Sequence, residues 1–124
     1  SNDIANLMDE ARQTMLLHRV QNGADAMSAR EALEIATRGG ADVLGRPECG
    51  RIAVGKRADI AIWDINGIES AGSWDPAALV IAGPNKVRHL FVEGRQIVRD
   101  WHMATLDLPK LIEAQNGLAL KLAG

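Results

Sequence analysis

Residues 49–65, CGRIAVGKRADIAIWDI, are the stretch on which the fold turns. Arg51-Ile52 reads as a short strand that runs into a turn at Gly55-Lys56. An apolar run follows, entered through Asp59 and left through Asp64, with β-favouring Ile60, Ile62 and Trp63 inside it. Asn66-Gly67 ends the run as a turn. Strand grammar therefore starts near residue 51, and what precedes it has helical spacing.

In residues 4–20 the apolar side chains Ile4, Leu7, Met8, Ala11, Met15, Leu16 and Val20 recur at helical intervals. Asn2 or Asp3 is the expected cap, and Asn22-Gly23 the expected stop. Ser28-Ala29-Arg30-Glu31 has the pattern of a capping box, followed by an apolar face of Ala32, Leu33, Ile35 and Ala36. Gly39-Gly40 is expected to interrupt that helix, because each interior glycine costs about 1 kcal/mol. A second short helix over residues 41–44 should end at Gly45, and Pro47 prevents continuation.

Beyond the central stretch, residues 66–76 read as a loop, and Asp75-Pro76 opens a short helical turn with proline in its first position. Gly83-Pro84-Asn85 is a turn. Residues 87–92 and 95–99 form a hairpin around Glu93-Gly94, with Val87, His89 and Phe91 on one face and Arg88, Leu90 and Val92 on the other. Neither face is purely polar, so partial cover on both sides is expected. Residues 108–122 read as a last helix with Pro109 in its first turn, although Asn116-Gly117 weakens its middle. The fold class is α+β, and no βαβ alternation long enough for an independent barrel is present.

Composition narrows the function. The chain has 124 residues, 47% of them hydrophobic and 24% charged, with a formal net charge of -2. That balance is globular, and without a basic block it gives no footprint for nucleic acid or an anionic membrane. No apolar run approaches the roughly 20 residues that span a bilayer. No secretory leader pattern opens the chain. The single Cys49 excludes an internal disulfide, which points weakly to a reducing, cytoplasmic setting.

Candidate chemical residues weigh toward structural roles. His18, His89 and His102 match no His-x-His or His-Glu-x-x-His pattern. Cys49 has Arg46 and Arg51 nearby in sequence, but a packed loop thiol is the expected reading. Asp59 and Asp64 flank a strand and are expected in turn and edge hydrogen bonds. Gly39-Gly40 lacks the strand and Lys-Ser/Thr pattern of a phosphate cradle. Trp63, Trp74 and Trp101 are expected at packing surfaces.

Three motifs carry a resemblance. Residues 32–37 (ALEIAT), then Gly39-Gly40-Ala41 and Leu44-Gly45, resemble the helical signature that follows the barrel in amidohydrolases. Residues 50–60 (GRIAVGKRADI) are similar to that family's return into a small β-sandwich, and residues 92–98 (VEGRQIV) resemble the hairpin that closes it. Within the family the likeness is to aminohydrolases of nitrogen heterocycles: guanine and 8-oxoguanine deaminases, cytosine deaminase-like enzymes and triazine hydrolases. Asp75-Pro76, residues 78–80 and Gly83-Pro84 also resemble the 8-oxoguanine deaminase branch.

The resemblance implies a (β/α)8 barrel holding a divalent metal, zinc or iron, that activates water for attack on an aminated ring carbon, with ammonia leaving. It implies that this chain is the closing part of such an enzyme, inactive by itself and binding no metal. The division it implies is 1–48 for barrel helices, 49–104 for part of the sandwich and 105–124 for a C-terminal helix. The metal ligands are expected upstream of Ser1. Asp3 matches a later aspartate of the motif, not a ligand. No catalytic residue is assigned here. Ser1 is the one substrate-side candidate, expected on a loop beside a small heterocyclic substrate. The competing reading is a free-standing, non-catalytic α+β binding or scaffold module. Either way, the apolar stripe of residues 4–20 predicts self-association into a homo-oligomer.

Overall fold

In the computed structural model, residues 6–84 and 86–124 are described. Helix α1 spans Leu7–Asn22. It starts later than the spacing suggested: Asn6 is the cap, its Oδ1 accepting from the Met8 amide at 3.1 Å and its Nδ2 donating to Asp9 at 2.8 Å. Asn2, Asp3 and Ile4 lie outside the described residues. The stop is as expected. Gly23 takes φ 105°, and its amide closes the last turn on the Arg19 carbonyl at 2.9 Å.

Helix α2 spans Ala29–Glu34 behind a complete capping box. The Ser28 hydroxyl accepts from the Glu31 amide at 3.2 Å, and the Glu31 carboxylate accepts from the Ser28 amide at 2.7 Å. The expected break at Gly39-Gly40 does not occur. Both glycines keep right-handed helical angles, and a π-helical segment, Ile35–Gly39, joins α2 to helix α3, Gly40–Val43. The Gly40 amide reaches back to the Ile35 carbonyl. The wider turn absorbs one extra residue and puts Ala41 on the buried side. Glycine propensity is a small cost that this packing overrides.

Gly50 is where glycine is indispensable. Its φ is +82°, and an added Cβ would stand 2.9 Å from the Ala41 Cβ and 2.9 Å from the Arg38 Cα. The loop after α3 thus lies directly on the helix that precedes it.

Arg51-Ile52 is not a strand, which corrects the opening reading. Residues 46–59 form a chain of turns instead: the Lys56 amide bonds the Ala53 carbonyl at 3.1 Å, and the Arg57 amide bonds the Glu48 carbonyl at 2.9 Å. A strand needs a partner, and the one long enough here first pairs at Ile60. Ile52 and Val54 are left 82% and 106% exposed.

Strand β1 (Ile60–Trp63) pairs antiparallel with β2 (Val87–Val92), which pairs with β3 (Arg95–Arg99), which pairs with β4 (His102–Met103). The first hairpin turns at Glu93-Gly94 as expected. The second turns at Asp100-Trp101 and leads into β4. Both turns have positive φ at their two central residues, as two-residue type I′ hairpins require. Asp and Trp carry no glycine signal, so the second hairpin is silent in the sequence. Between β1 and β2 lie a 3-10 turn, Ile68–Ser70, and helix α4, Pro76–Ala82. Asp75 caps α4 through the Ala77 amide at 3.1 Å. Helix α5, Leu108–Ala123, ends the chain and continues through Gly117.

The core sits where α1, α2 and α4 meet: Ala11, Met15, Ala29, Ala32, Ala77 and Ile81. Its small side chains let the helices approach closely. Among the described residues no strand residue and no α5 residue is buried. The α+β class stands.

Candidate functional site

A concavity of ≈ 520 Å³ lies between the start of α1, α2 and strand β1. Leu7, Met8, Leu33, Ile52, Ile60 and Trp63 give it apolar walls, and Asp59 is a polar group at its edge. That aspartate is occupied. Its Oδ1 accepts from the Glu93 amide at 2.7 Å, and its Oδ2 accepts from the Cys49 thiol at 3.5 Å. This is the turn and edge role expected of it. Asp64 has the other: its Oδ1 accepts from the Asn66 amide at 3.1 Å.

The ionic groups around Asp59 form a surface network. Arg57 pairs with Glu93 and, at 3.5 Å, with Glu48, which also pairs with Arg46 at 3.0 Å. The Glu48 carboxyl is held below its ordinary value by its own backbone amide and then by Arg46. Desolvation, followed by the hydrogen bond to Asp59, pushes the Cys49 thiol upward. A raised thiol carries less thiolate, so Cys49 has the chemistry of a packing residue.

The histidines stay apart. His18 is exposed on α1. His89 is fixed in β2: its Nδ1 lies 3.2 Å from Gln96 Nε2 and accepts from the Asp100 amide at 3.3 Å, with Asp100 Oδ1 3.6 Å from Nε2. The same carboxylate holds Arg88 at 3.2 Å, and the Arg88 guanidinium stands 5.1 Å from the Trp101 ring centroid. These contacts support the second hairpin, with its left-handed Asp100 and Trp101. Sequence reading missed the group because the side chains converge only after β2 and β3 pair. His102 Nδ1 lies 2.6 Å from the Asp100 carbonyl. Trp74 and Trp101 are exposed, and Trp63 is half-buried.

Among the described residues no group of three or more His, Cys, Asp or Glu side chains is placed to hold a metal ion. The donors that are present do not fit a metal centre. No helix among them is long and apolar enough to cross a membrane. Ser1, the substrate-side candidate, lies outside the described residues.

A helical layer and a four-stranded meander are what the described residues build. Residues 1–97 match the amidohydrolase family, and the chain belongs to it. It is 37% identical over 98% of its length to 8-oxoguanine deaminase of Pseudomonas aeruginosa, of which it covers 27%. The crystal structure of atrazine chlorohydrolase from Arthrobacter aurescens TC1 complexed with zinc superposes at a TM-score of 0.86 with 34% identity, over 95% of this chain and 27% of that one. An adenosine deaminase from Xanthomonas campestris with bound zinc gives a TM-score of 0.91 with 25% identity, over 99% of this chain and 29% of that one. The chain therefore spans less than a third of the length of each of these three relatives.

Proposed function

We propose that this chain is the closing part of a metal-dependent hydrolase that acts on a carbon–nitrogen bond other than a peptide, deaminating a nitrogen heterocycle such as 8-oxoguanine, guanine or cytosine. The observation that carries the reading is the 37% identity to an 8-oxoguanine deaminase across nearly the whole chain. The reaction is hydrolytic: water replaces a ring amino group, and ammonia leaves.

In this reading residues 1–48 complete the outer helices of a barrel, residues 49–104 belong to a small sandwich, and residues 105–124 are an appended helix. A divalent metal, zinc or iron, is held by residues preceding Ser1, and Ser1 borders the substrate. The zinc in two related structures supports the metal class. This chain supplies no step of the chemistry and is inactive alone. The active protein is a cytoplasmic homo-oligomer.

Exposed apolar side chains favour this over a free-standing module. Val20, Val43, Ile52, Val54 and Leu122 are each more than four-fifths exposed, which suits surfaces that other parts of a larger protein cover.

The test is to read the coding sequence upstream of Ser1, then purify the whole polypeptide with its metal. A His-x-His early in the sequence, an aspartate shortly before Ser1 and ammonia release from one of the named heterocycles are expected. A start codon adjoining Ser1, or ammonia release by the 124-residue chain alone, would refute the reading.

A further inference from the structure

The sequence contains three Asn-Gly pairs, Asn22-Gly23, Asn66-Gly67 and Asn116-Gly117. Each has the same latent reactivity. The backbone nitrogen of the glycine can attack the asparagine Cγ, because glycine has no side chain to obstruct the approach. What separates the pairs is how the fold holds the two reacting groups.

At the end of α1 both groups are engaged. The Gly23 amide donates to the Arg19 carbonyl at 2.9 Å, and the Asn22 Nδ2 donates to the His18 carbonyl at 3.2 Å. In α5 the Gly117 amide sits in the middle of a 16-residue helix, where it donates along the helix axis. The third pair lies in the turn after β1. Among the described residues the Gly67 amide donates to no acceptor and the exposed Asn66 side chain has no partner. Only the Asn66 backbone is held, by Asp64. The Glu69 carboxylate lies over the Gly67 Cα, in the space a β-carbon would occupy.

We propose that Asn66-Gly67 is a site of spontaneous deamidation, and that the fold selects it over the other two pairs. The Gly67 nitrogen loses its proton and bonds to Asn66 Cγ. The Cγ–Nδ2 bond breaks, and the nitrogen leaves as ammonia with the proton returned to it. Water then opens the five-membered imide at either carbonyl, giving aspartate or isoaspartate at position 66. Both products put a new negative charge between Asp64 and Glu69. The isoaspartyl form also adds a backbone methylene to the turn that Asp64 holds, at the exit from β1.

The protein is aged at mildly alkaline pH and digested, and the three peptides are followed by mass spectrometry, with isoaspartate methylation as a second readout. Residue 66 should convert roughly tenfold or more faster than residues 22 and 116, since each engaged hydrogen bond must first be broken at those sites. In urea the three rates should converge. Equal rates in the folded protein, or a preference for residue 66 that survives in urea, would overturn the proposal.

Discussion

The Asp59 carboxylate accepts a 2.7 Å hydrogen bond from the backbone amide of Glu93, joining the start of β1 to the turn between β2 and β3. Glu93 has φ 51°, a left-handed angle that non-glycine residues rarely adopt. The next amide, that of Gly94, bonds the Ala58 carbonyl at 3.0 Å. Two successive residues of the turn are therefore pinned to the two residues that lead into β1. The aspartate that opens the apolar run holds the hairpin in register from outside it.

Asp59→Ala should destabilise the protein by about 1–2 kcal/mol, the range of an exposed charge-assisted hydrogen bond. Asp59→Asn keeps an acceptor oxygen and should lose less than half of that. Chemical denaturation measures both. The Glu93 amide should exchange with solvent faster in the alanine variant. Unchanged exchange at Glu93 would separate Asp59 from the turn.

Cys49 should react slowly with iodoacetamide at neutral pH compared with an unstructured cysteine, because desolvation and then the hydrogen bond to Asp59 raise its thiol. Asp59→Asn removes a negative charge beside the sulfur and should speed alkylation several-fold, by roughly the increase in thiolate fraction. A rate that does not change would mean that Asp59 is not what restrains the thiol.

The capping box gives α2 an acid limit. The Ser28 backbone amide, and then the Ser28 hydroxyl, hold the Glu31 carboxyl below its ordinary value. A depressed carboxyl contributes stability at pH above the unfolded glutamate value and loses it as pH falls through the folded one. The stability of the wild-type protein should therefore fall more steeply below the ordinary glutamate range than that of Glu31→Gln. Parallel pH profiles for the two would remove Glu31 from that role.

What the sequence discloses follows the range of the interactions. Ser28 and Glu31 sit one helical turn apart, so their reciprocal bonds were readable, as was the Gly23 stop. Glu93-Gly94 announced its hairpin because glycine marks the left-handed position. Asp100-Trp101 makes the same turn without a glycine, and its support from Arg88 and His89 arises only after the strands pair. Gly39-Gly40 misled for the opposite reason. Its local cost is real, but Gly50 packs on Arg38 and Ala41, and that contact favours an unbroken helix. The Asp59 role was legible in kind but not in partner, since Glu93 lies 34 residues away. The reading of Ser1 came from resemblance alone, and Ser1 lies outside the described residues.

The small core and the bare surfaces should respond oppositely to mutation. Ala32 is 1% exposed and Ile81 2% exposed where α1, α2 and α4 meet. Ala32→Leu should cost about 1–3 kcal/mol by overpacking, and Ile81→Ala about 2–5 kcal/mol through the cavity it leaves. Ile112 on α5 is 51% exposed, so Ile112→Ser in this chain alone should change stability by no more than about 0.5 kcal/mol. In the whole polypeptide the same substitution should cost more than roughly 1 kcal/mol if the α5 face is covered there, because an apolar side chain would then be replaced by a buried hydroxyl. Denaturation of both forms measures the difference. A small effect in both would mean that α5 faces solvent in the larger protein too, and that cover must be sought over the sheet instead.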